Sequence, residues 1–276
     1  MPARFVLVGG GKMGGALLAG WRDKGGISPE DVTVVEPVAE AARELHARHG
    51  VAVVATAGEL DRATERTLVL FAVKPQVIGD VIGDYRRFAE AGARPPVFLS
   101  IAAGTKIGLL ESALGPQAPV VRSMPNTPAA VGRGITVACA NASVADDQIA
   151  LCTNLLEAVG EVAWIDDESL MDAVTGVSGS GPAYVFLLIE CLAAAGVAAG
   201  LAPELSQKLA RATVTGAGEL AFRSSDSAEI LRRNVTSPGG TTAAALAVLM
   251  AADGLEPLMT KAVAAATDRS RELASG

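Results

Sequence analysis

The chain opens with a short apolar run, Phe5-Val6-Leu7-Val8, which breaks into Gly9-Gly10-Gly11-Lys12-Met13-Gly14 before Ala16, Leu17, Leu18 and Trp21 recur at helical spacing. Strand, glycine turn, helix is an order that leaves few folds open. Gly9, Gly11 and Gly14 match the dinucleotide fingerprint, in which one glycine makes the turn, one admits a pyrophosphate and one lets helix and strand pack closely. Apolar runs follow at 32–35, 51–54, 67–73, 97–101 and 119–122, and later at 135–140 and 161–165 around a helix at 146–159. Strands alternating with helices predict an α/β fold, a parallel doubly wound sheet of the Rossmann type. Aromatics make up only 4% of the chain, and the prevalence of alanine, valine, leucine and glycine favours tightly packed helices on a buried parallel sheet over a sandwich.

Strand signals stop at Asp166-Asp167-Glu168. Ala/Leu-rich segments then predict helices at about 169–178, 182–200, 203–223, 226–234, 242–251 and 254–274. Pro203 suits a first helical position, and Gly200 suits the end of the helix before it. Two domains are expected, a dinucleotide-binding domain over 1–166 and an all-helical domain over 167–276. With so many small apolar residues and so few aromatics, the helices of two chains are expected to interleave as a homodimer; a monomeric bundle is the alternative.

Ligands of doubly wound sheets sit beyond the carboxyl ends of the strands. The residues just past these runs are Lys74-Pro75-Gln76, Ala102-Ala103-Gly104 and Ser123-Met124-Pro125-Asn126-Thr127-Pro128. Each set combines Gly or Pro with small or polar side chains, as a rim around a cofactor would. Glu36 closes the second strand, where an acid can accept both ribose hydroxyls of NAD and repel the 2′-phosphate of NADP. A solvated strand-end acid is the plainer reading, and Lys12 and Arg43 stand near enough in sequence to offset a phosphate.

Bulk properties narrow the partners. A net charge of −7 and a pI near 5.0 argue against nucleic acid or an anionic membrane as the main partner. Cys139, Cys152 and Cys191 are odd in number and widely spaced, so neither a disulfide framework nor a zinc motif is suggested, and a reducing, cytoplasmic setting is expected. Met1-Pro2-Ala3-Arg4 lacks the regions of a signal peptide. The stretch from Pro182 to Leu201 approaches membrane length but contains Glu190 and several small residues, and it reads as a helix in a protein interface rather than a span. His46 and His49 share a helical spacing in an Ala/Arg/Glu-rich stretch and read as a solvated helix face, not a metal site. They are the chain's two histidines, which makes histidine acid/base chemistry at the other sheet edge improbable.

The segment Asn234-Val235-Thr236-Ser237-Pro238-Gly239-Gly240-Thr241-Thr242 is a polar turn between two apolar helical stretches. Adjacent glycines leave backbone N–H groups bare, and a helix following with Ala243-Ala244-Ala245-Leu246 would aim its N-terminus at an anion. Such a stretch is either an ordinary capped helix start or a carboxylate site. Upstream, Ser178-Gly179-Ser180-Gly181-Pro182-Ala183-Tyr184 opens a long helix with residues small enough for close approach of a nicotinamide or of a neighbouring helix. The lysine that a hydroxy-acid dehydrogenase would carry on such a helix is absent between Trp164 and Leu205.

Together these motifs resemble the pyrroline-5-carboxylate reductase family. The matching pieces are 9–14, Ala72-Val73-Lys74-Pro75-Gln76, 100–104, Arg122-Ser123-Met124-Pro125-Asn126-Thr127-Pro128, 172–184 and 235–242. The resemblance implies a helical domain that dimerises through swapped helices, often a ring of dimers, and reduction of the C=N bond of 1-pyrroline-5-carboxylate to L-proline with NADPH or NADH. Carried over by motif position, the substrate would meet Ser237, Gly239, Gly240, Thr241 and Thr242, with Glu168 a weaker candidate for its rim. The cofactor would meet Gly9, Gly10, Gly11, Lys12, Met13, Gly14, Glu36, Ala72, Val73, Lys74, Pro75, Ala102, Ala103, Gly104 and Asn234. Where the family often has an acidic residue before the loop, this chain has Ser224-Ser225-Asp226.

The chemistry asks little of the side chains. A free iminium already carries its proton in mildly acidic water, so a hydroxyl on the ring nitrogen suffices, and Thr242 is the expected catalytic residue. Amides of Gly240 and Thr241 are expected to hold the carboxylate. The alternatives are reduction of a related cyclic imine such as 1-piperideine-2-carboxylate, or a nucleotide-sensing protein that kept the fold without turnover.

Overall fold

The structure, a computed structural model, describes residues 5–24, 26–60, 68–90 and 94–274. Met1 to Arg4 and Thr67, which figured in the expectations above, lie outside them. Among the described residues eight strands form one sheet: β1 (Phe5–Val8), β2 (Val32–Val35), β3 (Ala52–Val54), β4 (Leu68–Phe71), β5 (Val97–Ser100), β6 (Val120–Met124), β7 (Gly134–Ala140) and β8 (Gly160–Trp164). Their spatial order is β3-β2-β1-β4-β5-β6-β7-β8. The first six run parallel, and the order reverses beside β1, which places the binding crevice at the carboxyl ends of β1 and β4.

One part of the sheet departs from the parallel expectation. β7 runs antiparallel to β6, with Arg122 opposite Cys139, and β8 is parallel to β7. The link from Met124 to Gly134 holds only a 3-10 turn, Thr127–Val131. A parallel return needs a crossover of a dozen or more residues, so a link this short reverses the strand.

Alternation within each strand divides the core. Val6, Val8, Val69, Phe71, Phe98 and Val120 pack on one face with residues of α3 (Pro75–Val81), α4 (Arg86–Ala89) and α5 (Ile107–Leu114). Leu7, Val34, Leu68, Leu70, Leu99 and Val121 pack on the other with α1 (Lys12–Asp23), α2 (Ala39–His49) and α6 (Asp146–Glu157). Trp21 on α1 is buried and donates its indole N–H to Leu155 O at 2.8 Å, tying α1 to α6. The helix carrying both histidines is not uniformly solvated. His46 is exposed, but His49, in the last turn of α2, is 7% exposed. Burial, with Arg22 and Arg48 beside it, lowers its pKa.

The chain divides into two compact units, Met1–Gly179 with Thr267–Gly276, and Ser180–Ala266. The sheet unit therefore runs past residue 166, and fixed contacts explain why. After β8 come a 3-10 turn (Glu168–Leu170), α7 (Met171–Val174) and a π-helical turn (Thr175–Gly179). Asn126 Nδ2 donates to Ser178 O at 3.1 Å while its Oδ1 accepts from Ile135 N at 3.0 Å. A Cβ on Gly179 would come within 2.5 Å of Met124 Cε. Ser270, near the end of the last helix, donates to Asp172 Oδ1 at 2.6 Å.

The second unit holds α8 (Gly181–Ala198), α9 (Pro203–Arg223), α10 (Ala228–Asn234), α11 (Thr241–Leu249) and the first part of α12 (Leu255–Leu273). Gly200, at φ +99°, ends α8 as expected. α8 and α9 meet where Gly196 faces Ser206, whose hydroxyl donates to Ala193 O at 2.6 Å. Their apolar residues are too many for a bundle of this size: Phe186, Leu187, Leu188, Leu209, Leu220 and Phe222 are all exposed. Apolar surface on that scale marks an interface.

In the sheet core, Phe71 is fully buried, edge-on to Tyr85 at 5.1 Å and stacked near Phe98 at 6.4 Å. Phe71→Ala should lower unfolding free energy by about 3–5 kcal/mol. Urea denaturation checks this, and an unchanged midpoint would contradict the assignment of this ring to the core.

Candidate active site

A candidate dinucleotide site is built in the sheet unit where β1 ends. Gly9 takes φ +94° and donates its N–H to Val35 O at 2.9 Å, so the chain turns tightly across the end of β2. Gly14 lies against the carbonyl of Gly9, with no room for a Cβ, which lets α1 start directly on the strand end. In front of Gly11 a Cβ would meet nothing within 4 Å. Gly11 is also the N-cap of α1, and as a glycine it offers no side-chain cap. The first-turn amides of Lys12, Met13 and Gly14 precede the first intrahelical bond, Gly15 N to Gly11 O at 2.8 Å. Uncapped amides with open space before them fit a pyrophosphate. Gly9 thus makes the turn, Gly14 lets helix and strand pack closely, and Gly11 leaves open space before the helix start.

The neighbouring strand ends complete the edge. Ala72 and Val73 lie beyond β4 and against Gly9, Ala72 N donating to Val8 O at 2.8 Å. Lys74 is the N-cap of α3, Pro75 its first residue, and both are exposed. Past β5, Thr105 N donates to Ala102 O at 3.3 Å, Ala103 is exposed, and Gly104 takes φ +74° with open space around it. Glu36 folds back across the glycine turn. Its Oε2 accepts from Gly10 N at 3.0 Å and its Oε1 from Val38 N at 3.1 Å. The carboxylate is fixed at the turn, and each oxygen keeps a lone pair for a ribose hydroxyl.

The helical unit carries a candidate site of its own in the loop after α10. Asn234 ends α10. Thr236 Oγ1 donates to Arg232 O at 2.6 Å, holding the start of the loop to the last turn of that helix. Ser237, Pro238, Gly239 and Gly240 then make a turn closed by Gly240 N to Ser237 O at 3.1 Å. Gly239, at φ +70°, occupies the third position of a type II turn, where a side chain is strained. α11 starts at Thr241 with Gly240 as its N-cap, so both threonines lie inside the first turn. The Gly240 amide, one of the two expected carboxylate donors, closes the turn. The open donors are the amides of Thr241, Thr242 and Ala243, which precede the first bond, Ala244 N to Gly240 O at 3.2 Å; the N-cap glycine has no side chain to cap them. Thr242 is half-buried and Thr241 exposed. Asp226 precedes Ser227, whose side chain caps α10 by accepting from Ile230 N at 3.3 Å.

Glu168 belongs to a contact that sequence reasoning missed. Its Oε1 accepts from Arg122 Nη1 and from Ile107 N, both at 2.8 Å. Arg122 is 5% exposed, in the middle of the sheet. Its presence in an otherwise apolar run was the available signal, since a buried guanidinium requires a partner. Asn126 was named as part of a motif, but its clasp on the π-helical turn needed the structure. Cys139, opposite Arg122, has its thiol pKa pushed up by burial and then by Glu168.

Comparison with known proteins agrees with this geometry. Residues 168–273 match a family model for pyrroline-5-carboxylate reductase dimerisation, and residues 4–104 match one described as NADP oxidoreductase, coenzyme F420-dependent. A pyrroline-5-carboxylate reductase of Synechocystis sp. is 41% identical over 273 residues, 99% of each chain. A pyrroline-5-carboxylate reductase structure from Coxiella burnetii superposes with a TM-score of 0.91 at 33% identity over 99% of each chain. A Plasmodium falciparum pyrroline carboxylate reductase with NADP bound gives 0.79 at 31% identity, over 99% of this chain and 98% of that one. The chain belongs to the pyrroline-5-carboxylate reductase family.

Proposed function

We propose that the chain reduces the C=N bond of 1-pyrroline-5-carboxylate to L-proline with NADH or NADPH, the sheet edge over 1–166 binding the dinucleotide and 167–276 supplying the substrate loop and a homodimer interface. The observation that carries this reading is the uncapped start of α11, set behind a Pro-Gly-Gly turn, in a chain related over its whole length to these reductases. The exposed apolar faces of α8 and α9 fit burial against a second copy, and a ring of such dimers is consistent with the family. Residues 168–198 are long and apolar enough to cross a bilayer; the match of this region to a dimerisation model supports a subunit partner and a cytoplasmic enzyme instead.

The roles follow from chemistry. When bound, the dihydronicotinamide supplies the hydride. Thr241 and Thr242 amides hold the substrate carboxylate through the partial positive charge of the helix start. Ser237, Gly239 and Gly240 shape the turn that presents them. The Thr242 hydroxyl, able to donate and accept, orients the ring nitrogen and stabilises its change from iminium to amine. Lys74 and Asn234 are assigned to the cofactor. Glu36 places a fixed negative charge where the adenosine ribose binds, which favours NADH over NADPH.

A steady-state assay of imine-dependent NADH and NADPH oxidation, with five- and six-membered ring substrates in parallel, tests the reading. Activity is expected with the five-membered ring; tight dinucleotide binding without turnover would instead support the sensing alternative. Thr242→Ala should lower kcat about tenfold to a hundredfold with little change in cofactor affinity, and an unchanged kcat removes the hydroxyl's role. Glu36→Ser should shift the kcat/KM ratio toward NADPH. A ratio that stays put would show that Glu36 does not read the ribose.

A further inference from the structure

The loop from β5 to α5, residues 101–106, is fastened at both ends. At the strand end, Ile101 N donates to Phe71 O at 3.1 Å, Ser123 Oγ to Ser100 O at 3.0 Å, and Ala102 N to Ser100 Oγ at 3.3 Å. At the helix end the chain has no cap of its own, because the N-cap residue is Lys106, which has no acceptor in its side chain. The cap comes from Glu168, 61 residues downstream, whose Oε1 accepts from Ile107 N. A carboxylate is favourable at a helix N-terminus. The same oxygen accepts from Arg122 Nη1, and Arg122 stands beside Ser100 in the sheet register.

Each of the three groups therefore depends on the other two. Without the charge on Glu168, Arg122 is a buried cation with no ionised partner, and the start of α5 loses its external anion. Without Arg122, the carboxylate is free to turn away from Ile107. Either change releases the helix end of the loop while leaving its strand end tied.

We propose that Arg122 and Glu168 are positioning residues for the dinucleotide, acting by fixing the 101–106 loop against it rather than by touching substrate or cofactor. The proposal rests on the reading of Ala102, Ala103 and Gly104 as a wall of the cofactor site. It gives Glu168 an indirect role in place of a contact at the substrate's rim.

The test is a fluorescence titration of NADH and NADPH into the purified full-length protein without substrate, accompanied by thermal melting and by KM for the imine. Glu168→Gln and Arg122→Gln should each weaken dinucleotide binding on the order of tenfold. Their double variant should be no weaker than the weaker single, because both remove one shared contact. Arg122→Lys, which keeps the charge, should recover most of the affinity; if Arg122→Gln does not fold, this variant and Glu168→Gln carry the comparison. Unchanged dinucleotide affinity in folded Glu168→Gln overturns the proposal, whether the change appears in melting temperature alone, as for a purely structural pair, or in imine KM alone, as for a substrate contact. Ala103→Glu separates the two levels of the argument. If it weakens binding and Glu168→Gln does not, only the positioning role fails. If neither weakens binding, the loop is not a wall of the cofactor site.

Discussion

Strands buried on both faces leave a sheet only its ends for polar chemistry, and this constraint organises the sheet unit. β2, β4 and β5 are buried along their whole length, so a ligand cannot lie on their faces. The parallel run of the first six strands collects their carboxyl ends along one edge, and the turn at Gly9, the carboxylate of Glu36, the Ala72-Val73 corner and the 102–104 loop all stand there. Arg122 is the exception that clarifies the rule. A charge inside the sheet is tolerated because Glu168 comes back to meet it at 2.8 Å, and the pair then has a structural consequence at the edge itself.

The same physical device is used in both units. α1 and α11 each begin at a glycine with no side-chain cap, and each leaves first-turn amides for an anion. At α1 the turn before the helix is set by the positive φ of Gly9, and at α11 by that of Gly239. A pyrophosphate suits the first and a carboxylate the second. Neither site needs a strong acid, which accords with an imine substrate whose nitrogen is already protonated. The two histidines lie on α2, with His49 buried among arginines.

Much of this was legible in the sequence because the signals were local. Eight apolar runs correspond to eight strands among the described residues, and the glycine spacing matches the turn at Gly9 and the close packing at Gly14. The second unit's helices were visible in their apolar content, and the family motifs pointed to the substrate loop. What escaped depends on distance or on alternatives that sequence leaves equal. The reversal of β7 depends on link length rather than strand pattern. Glu168 is separated from Ile107 by 61 residues, and nothing local to either pairs them. α11 begins at Thr241, one residue before the start that the apolar pattern predicts, and the Gly240 N–H closes the turn ahead of it. His49 looked solvated because its helix is mostly polar, yet its own position in the last turn faces inward.

The central claim is that backbone amides at the start of α11, not a cationic side chain, hold the substrate's carboxylate. A crystal structure of the protein with oxidised dinucleotide and L-proline tests it most directly. The account predicts the proline carboxylate within hydrogen-bond distance of the Thr241 and Thr242 amides and the ring nitrogen on the Thr242 hydroxyl. A carboxylate held by a lysine or arginine side chain, with the start of α11 open to solvent, would contradict it.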